Sequence, residues 1–350
     1  MKARNIIGLA VAALTFVPAA VAQDAAGDKP ASPKLKAVVL MPNSKKLQEL
    51  EIERSDGKDN FFYIEKSTVT EMQMPVASCK PFVLQTPADL AAAVNSFREG
   101  DIAAARKKCA AVKTKYANYA GLPGSPVTIA GITEINCAVR MQDWAALKTL
   151  VAEFPSADAL TGADAMCLKV AAIMADISDS PKSLDTQKAA IEELLKDKKA
   201  AKAINSEMYG WLRYALARAN AAKLTEEDLN GTIPEDKVKF ADAAIDNFCQ
   251  CVAATHGIAP ELPVDSLKRA MTILYAMPGV KDYKPATPMT KQTWANAPAN
   301  FKDAVAMANL LKLVYAPDEK IELADKLAPF YYNTGKDKPK KDAAPAEEGK

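Results

Sequence analysis

The stretch Phe97-Arg-Glu-Gly-Asp-Ile-Ala-Ala-Ala105 constrains this chain more than any other, because it reads as two helices meeting at a tight polar turn. Gly100 supplies the left-handed residue that ends the first helix, and Asp101 supplies a side-chain oxygen that caps the second. Further along, the chain reads Val139-Arg-Met-Gln-Asp-Trp-Ala-Ala-Leu147. Arg98 and Arg140, Asp101 and Asp143, and the pairs Ala103-Ala104 and Ala145-Ala146 fall in register. A turn that recurs in this way predicts an array of helical hairpins.

The flanking periodicity agrees. Leu90, Ala93, Val94 and Phe97 mark one face of a first helix, and Ile102, Ala105, Cys109, Val112 and Tyr116 mark the facing side of a second. A second hairpin runs from Val127 to Phe154, with Ile129, Ile132, Ile135 and Val139 followed by Trp144, Leu147, Leu150 and Val151. A third is expected from Ala159 to Asp197 around a longer turn at Ser178 to Ser183. A fourth pairs Ala200 to Ala222 with Asp236 to Thr255 across an acidic excursion, Lys223 to Glu235, that contains Asn230-Gly231 and reads as exposed. A short helix, Val264 to Met277, completes an array over 87–277. The Pro-rich stretch 278–298 opposes regular structure. A last hairpin over 299–335 follows, with helices at Phe301 to Tyr315 and Asp318 to Tyr331, and then a charged tail, 336–350, with the composition of a disordered segment.

Before the helices the period is two. Val38-Val39-Leu40, the run Leu47 to Arg54, the Asp56-Gly57 turn, Phe61-Phe62-Tyr63-Ile64 and Thr68 to Val76 predict a small antiparallel β module of three to five strands over 36–86. So few strands rarely stand alone in water, so their apolar face is expected to pack on the helices. The fold class is therefore mainly α, a helical-hairpin array preceded by this sheet.

At Phe97-x-x-Gly100-Asp101-x-x-x-Ala105 the chain resembles the tetratricopeptide repeat, whose first helix ends in an aromatic before a glycine turn and whose second begins with small residues. The match is best over 90–116. It is looser over 129–155, where Val139 replaces the aromatic and Gln142 the glycine, and Phe154-Pro155 stands for the closing proline. Beyond residue 160 there are hairpins without the motif. The order of export signal, small sheet and repeats also resembles exported bacterial proteins that carry such arrays in the envelope. The resemblance implies a concave protein- or peptide-binding surface and no chemistry.

Residues 1–22 carry Lys2 and Arg4, an apolar run from Ile6 to Val17, and Ala20-Val21-Ala22 before Gln23. This is the pattern of a cleaved signal peptide. The apolar run is too short to span a bilayer, and a spacer over 23–35 follows it. Export predicts a periplasmic protein. Loss of Lys2 and Arg4 brings the 45 basic residues of the chain to parity with its 43 acidic ones. A neutral chain without a basic face is not expected to bind nucleic acid, and no later run is long enough for a membrane span.

Candidate chemistry is sparse. Cys249, Cys251 and His256 could offer zinc or copper(I) two thiolates and an imidazole. Residues two apart on a helix point about 200° away from each other, however, and His256-Gly257 reads as a helix end, so no metal or cofactor is expected. The six cysteines, Cys79, Cys109, Cys137, Cys167, Cys249 and Cys251, allow disulfides in an oxidising compartment and equally suit buried small hydrophobes. The single histidine and the absence of HExxH, GxSxG and Walker-type motifs argue against an enzyme. Trp144 and Trp211 lie on apolar stripes. Trp294, with Tyr283 before it, sits in the Pro-rich stretch, either as a plug or as a partner contact. The sequence thus predicts an exported adaptor for a protein or peptide in the cell envelope. The alternatives are an envelope glycan-active enzyme or carbohydrate-binding protein on a helical toroid, and a self-assembling structural component.

Overall fold

A computed structural model describes residues 33–42, 44–65, 69–155, 160–176 and 181–332. The expected signal peptide, most of the expected spacer, the first half of the expected 178–183 turn and the charged tail lie outside the described residues. The chain is mainly α-helical behind one N-terminal antiparallel sheet.

The strands are β1 (Leu35–Leu40), β2 (Leu47–Ser55), β3 (Asn60–Glu65), β4 (Thr70–Pro75) and β5 (Phe82–Leu84), in the order β4-β3-β2-β1-β5. β1 begins inside the expected spacer, because Leu35 pairs with Ile52 and is buried. Alternation puts Leu35, Ala37, Val39, Ile52, Phe61 and Tyr63 on one face. That face packs on α1 (Ala88–Arg98), α2 (Ile102–Lys115) and the first half of α3 (Pro126–Arg140), sharing one core with Leu90, Cys109, Val112, Tyr116, Val127 and Ala130. Tyr119, fully buried, shares its hydroxyl proton between the carbonyls of Pro33 at 2.9 Å and Ile52 at 3.0 Å. Nearby, Ser55 Oγ donates to the Ala120 carbonyl at 2.9 Å, and a Cβ on Gly121, which has φ +87°, would lie 2.5 Å from the Gly57 carbonyl oxygen. Only a glycine lets the β2–β3 hairpin approach the helices this closely.

The two copies of the repeat turn, one after α1 and one between α3 and α4 (Trp144–Ala152), share a backbone. Glu99 and Met141 both have φ −76° and ψ −6°. The amides of Asp101 and Asp143 reach back to Ser96 and Ala138 at 2.9 Å, and their carboxylates cap the amides of Ala104 and Ala146 at 3.1 Å. Between them Gly100 takes φ +84° and Gln142 takes φ +54°. Gln142 therefore occupies the left-handed position without a glycine's freedom. The turns are also tied together, since Arg106 Nη1 lies 2.8 Å from Asp143 Oδ2.

A second core runs from the last half of α3 to the end of the described chain. It takes in α5 (Gly162–Asp176), α6 (Pro181–Lys196), α8 (Ser206–Ala221), α10 (Val238–Thr255), α11 (Glu261–Ala276) and α13 (Ala299–Leu310), with the short α7 (Lys198–Ala203) between α6 and α8, and α8 and α10 form its most extensive helix pair. Several expectations are corrected here. The helix expected from Ala200 breaks before α8, where Asn205 caps the amide of Met208 at 2.8 Å. The excursion 223–235 is not simply exposed: it holds α9 (Glu226–Asn230), opened by a Thr225–Asp228 capping box, and Ile233 is buried with its amide on the Ala276 carbonyl. The helix expected from Val264 begins at Glu261, because Pro263 falls in the first turn, where no backbone N–H is required. The Pro-rich stretch contains α12 (Lys291–Asn296), nucleated by a Thr290–Thr293 capping box. In the last hairpin α13 passes into a π-helical turn, Leu311–Tyr315, and the second helix, α14 (Glu322–Leu327), starts later than Asp318.

Gln142→Gly should stabilise the chain by about 1 kcal/mol, because glycine adopts the left-handed conformation without strain. Gly121→Ala should cost about 2 kcal/mol or more, through the clash with Gly57 and its positive φ. Urea unfolding followed by circular dichroism reads both, and equal midpoints for the two variants would contradict the account of these loops.

Candidate functional site

Two shallow surface pockets adjoin along α11 and share Asp265 and Lys268, forming one groove. One lobe, about 430 Å³, is lined by Gln142, Pro260, Glu261, Val264, Asp265 and Lys268. The other, about 290 Å³, is lined by Asp265 and Lys268 again, with Ala221, Leu229, Arg269, Thr272 and Ile273. Three parts of the chain meet here: the turn of the second repeat copy, the end of α8 with α9, and α11.

Behind the lining residues Asp265 and Arg269 lies a polar network of side chains one helical turn apart. On α8, Tyr214 and Arg218 share a face, and on α11 Glu261, Asp265 and Arg269 do so. Asp265 Oδ2 accepts from the Tyr214 hydroxyl at 2.7 Å and from Arg269 Nε at 2.6 Å, while Arg218 Nη1 donates to the Tyr214 oxygen at 3.1 Å. Trp144 stacks on Tyr214 with centroids 6.1 Å apart, and Phe248 of α10 meets it edge-on at 6.0 Å. Burial pushes the Tyr214 phenol up to about 12, with the Asp265 charge adding to the shift. Desolvation opposes the Arg269 charge, but Asp265 and Tyr214 more than compensate, so its pKa is raised.

At the other end, Arg140, itself buried, makes a two-pronged pair with Glu261, Nε to Oε2 at 3.1 Å and Nη2 to Oε1 at 2.9 Å. The Arg140 guanidinium also lies 5.3 Å from the Phe97 ring centroid, which joins the first repeat turn to this site. Glu207, on α8, is pushed up by burial against the opposing pull of Arg140, with Glu261 adding to the rise, and its Oε1 has no hydrogen-bond partner among the described residues. Lys268 pairs with Glu319 at 2.5 Å, tying α11 to the segment before α14.

The predicted residues fall in different places. Asp143 follows the lining residue Gln142 and pairs with Arg106, and Trp144 stacks on Tyr214, which donates to the lining residue Asp265. Arg106 is the first cause, and the Ala146 amide the second, that hold the Asp143 carboxyl below its usual range. Phe97 and Ala105 pack with Ile102 and Cys137 in a small separate cluster, Gly100 and Asp101 form the first turn, and Leu147 is buried in the main core. Tyr283 meets Phe301 edge-on at 4.9 Å, and Trp294 meets Tyr331 at 6.4 Å. Both are partly buried at the C-terminal end of the array, away from the groove. Cys249 is exposed and Cys251 fully buried on one unbroken helix, with the Cys251 thiol pushed up to about 11 by burial. His256 Nδ1 lies 2.5 Å from the Tyr315 hydroxyl. The other four cysteines are buried, and all six are free thiols in this structure. Missed from the sequence were Tyr214, Arg218, Glu261, Asp265, Lys268 and Arg269. The spacings Tyr214-x-x-x-Arg218 and Asp265-x-x-x-Arg269 were available as signals, but they resemble ordinary solvated helix faces.

The chain matches no protein-family model, no curated protein and no solved structure. No helix among the described residues is long and apolar enough to cross a membrane.

Tyr214 and Tyr119 both sit at about 12, above their ordinary 10, and Cys109 and Cys167 at about 12, above 9. A raised acid is neutral in the fold and ionises more readily in the unfolded chain, so its contribution is full below the ordinary value and lost as pH rises toward the folded one. The urea midpoint should therefore fall steeply from about pH 9 to 12. Tyr214→Phe should cost about 1–2 kcal/mol at neutral pH by removing a donor from Asp265, and should make the alkaline fall shallower. A flat alkaline profile would contradict the burial of these groups.

Proposed function

We propose that this protein is an exported, soluble adaptor of the cell envelope whose helical hairpins present the α11 groove to a segment of a partner protein or peptide. The observation that carries this reading is the groove itself, two lobes joined at Asp265 and Lys268 and edged by the second repeat turn. Its lining mixes apolar positions, Val264, Leu229 and Ile273, with charged ones of both signs, which suits a peptide chain better than a bulk anion or a nucleic acid. Its lining residues Asp265 and Arg269 are already braced by the Tyr214–Asp265–Arg269 hydrogen bonds, so little of their side-chain freedom remains to be lost on binding. Export and a periplasmic address rest on residues 1–22, and the repeat-turn resemblance supports a recognition surface.

A second reading, an envelope glycan-active enzyme, draws on one feature. Glu207 is raised by burial while Glu261 is paired with Arg140, so two neighbouring carboxyl groups sit in contrasting environments, as general acids and bases do.

A photo-crosslinking amino acid at Val264 should give a discrete adduct in the intact envelope that is weakened by Lys268→Glu, while the same label at exposed Lys239 gives none. No adduct at Val264, together with release of sugar from cell-wall material by the purified protein and loss of that release in Glu207→Gln, would replace the adaptor by the enzyme.

A further inference from the structure

Most arginines within the fold answer to a carboxylate. Arg54 pairs with Glu71, Arg106 with Asp143, Arg140 with Glu261 and Arg269 with Asp265. Arg213 does not. It is partly buried on α8, and no carboxylate lies within ion-pair distance of it among the described residues. Its partners are neutral: Nη1 donates to Asn247 Oδ1 at 3.2 Å, the guanidinium lies 4.8 Å from the Tyr209 ring centroid, and Nε is buried with no hydrogen-bond partner. A guanidinium partly removed from water without a counter-charge recovers only part of its lost hydration from an amide oxygen and a ring face.

Arg213 also lines an open surface pocket of about 480 Å³, with Asn205 and Ser206 exposed at its rim. The polar residues of the lining are Arg213, Ser206 and Asn205, the last with its side-chain oxygen on the Met208 amide, and the apolar ones are Leu195, Ile204 and Ala254. The Tyr209 ring forms the wall between, with its hydroxyl turned to Gln250 Oε1 at 3.2 Å. The pocket shares no residue with the α11 groove.

We infer that this pocket is a second binding site, for a singly charged carboxylate carrying a short apolar group. The Arg213 fork supplies the complementary charge and planar donors, and Leu195, Ile204 and Ala254 receive the hydrocarbon. One positive charge beside apolar walls suits a monocarboxylate better than inorganic phosphate, whose higher charge calls for several cations. Such a carboxylate is carried both by a free organic acid and by the end of a peptide chain. The inference holds whether or not the α11 groove binds a protein.

Isothermal titration of the full chain with N-acetyl-leucine, N-acetyl-leucinamide, inorganic phosphate and an acetylated tripeptide ending in leucine tests it. Acetyl-leucine should bind one-to-one, with the neutral amide and phosphate about tenfold weaker or worse. Arg213→Gln should weaken acetyl-leucine about tenfold with an unchanged unfolding midpoint, and Ala254→Leu, which narrows the pocket and leaves the charge, should weaken it too. A tripeptide that binds at least as well identifies a chain end as the ligand, and a tripeptide that fails identifies a free acid. Absent binding, an amide equal to the acid, phosphate tighter than the acid, or indifference to Arg213→Gln would each overturn the site.

Discussion

The structure depends on α3 being buried on nearly every side. Its first half, with Val127 and Ala130, belongs to the core under the sheet, and its second half, with Ile135, Ala138 and Val139, belongs to the core of the later helices. A helix enclosed in this way must satisfy its polar side chains within the protein. Thr133 returns its hydroxyl to the Ile129 carbonyl at 2.8 Å, Glu134 meets Lys113 at 2.5 Å, and Arg140 is held by Glu261. The sheet, the two repeat turns and α11 are thereby fixed to one element.

Such pairs add little net stability, because desolvation consumes most of the Coulombic gain, yet breaking one leaves an uncompensated charge. Their consequence is specificity of assembly. Arg140 can satisfy its guanidinium only if α11 presents Glu261, and Arg106 reaches Asp143 only if the two turns are stacked. The groove inherits this rigidity, since Gln142, which lines it, sits in the turn between the paired Arg140 and Asp143.

Much of the fold was legible, and for local reasons. The Gly100-Asp101 turn, its Asp143 copy, the period-two strands and the stripes Leu90 to Phe97 and Ile102 to Tyr116 are short-range signals that the backbone obeys. Errors fell where a local signal competed with packing. Proline content suggested irregularity over 278–298, but a capping box made α12, and an acidic composition suggested exposure at 223–235, but Ile233 found the end of α11. The site was scarcely legible. Tyr214, Glu261 and Asp265 lie on amphipathic helices where a charged residue looks the same whether it meets water or another helix.

The amino-acid sequence by itself determined the helical hairpins, the sheet before them and the two matching turns, because capping, glycine conformation and side-chain periodicity act within a few residues. Only the tertiary structure decided that Arg140 meets Glu261, that the Tyr214 hydroxyl donates to Asp265 under Trp144, and that Arg213 is left beside an open pocket without a counter-charge. Those outcomes depend on which helix faces are brought within a few ångströms. That distance is set by the packing of α3, α8, α10 and α11 together, and no single segment encodes it.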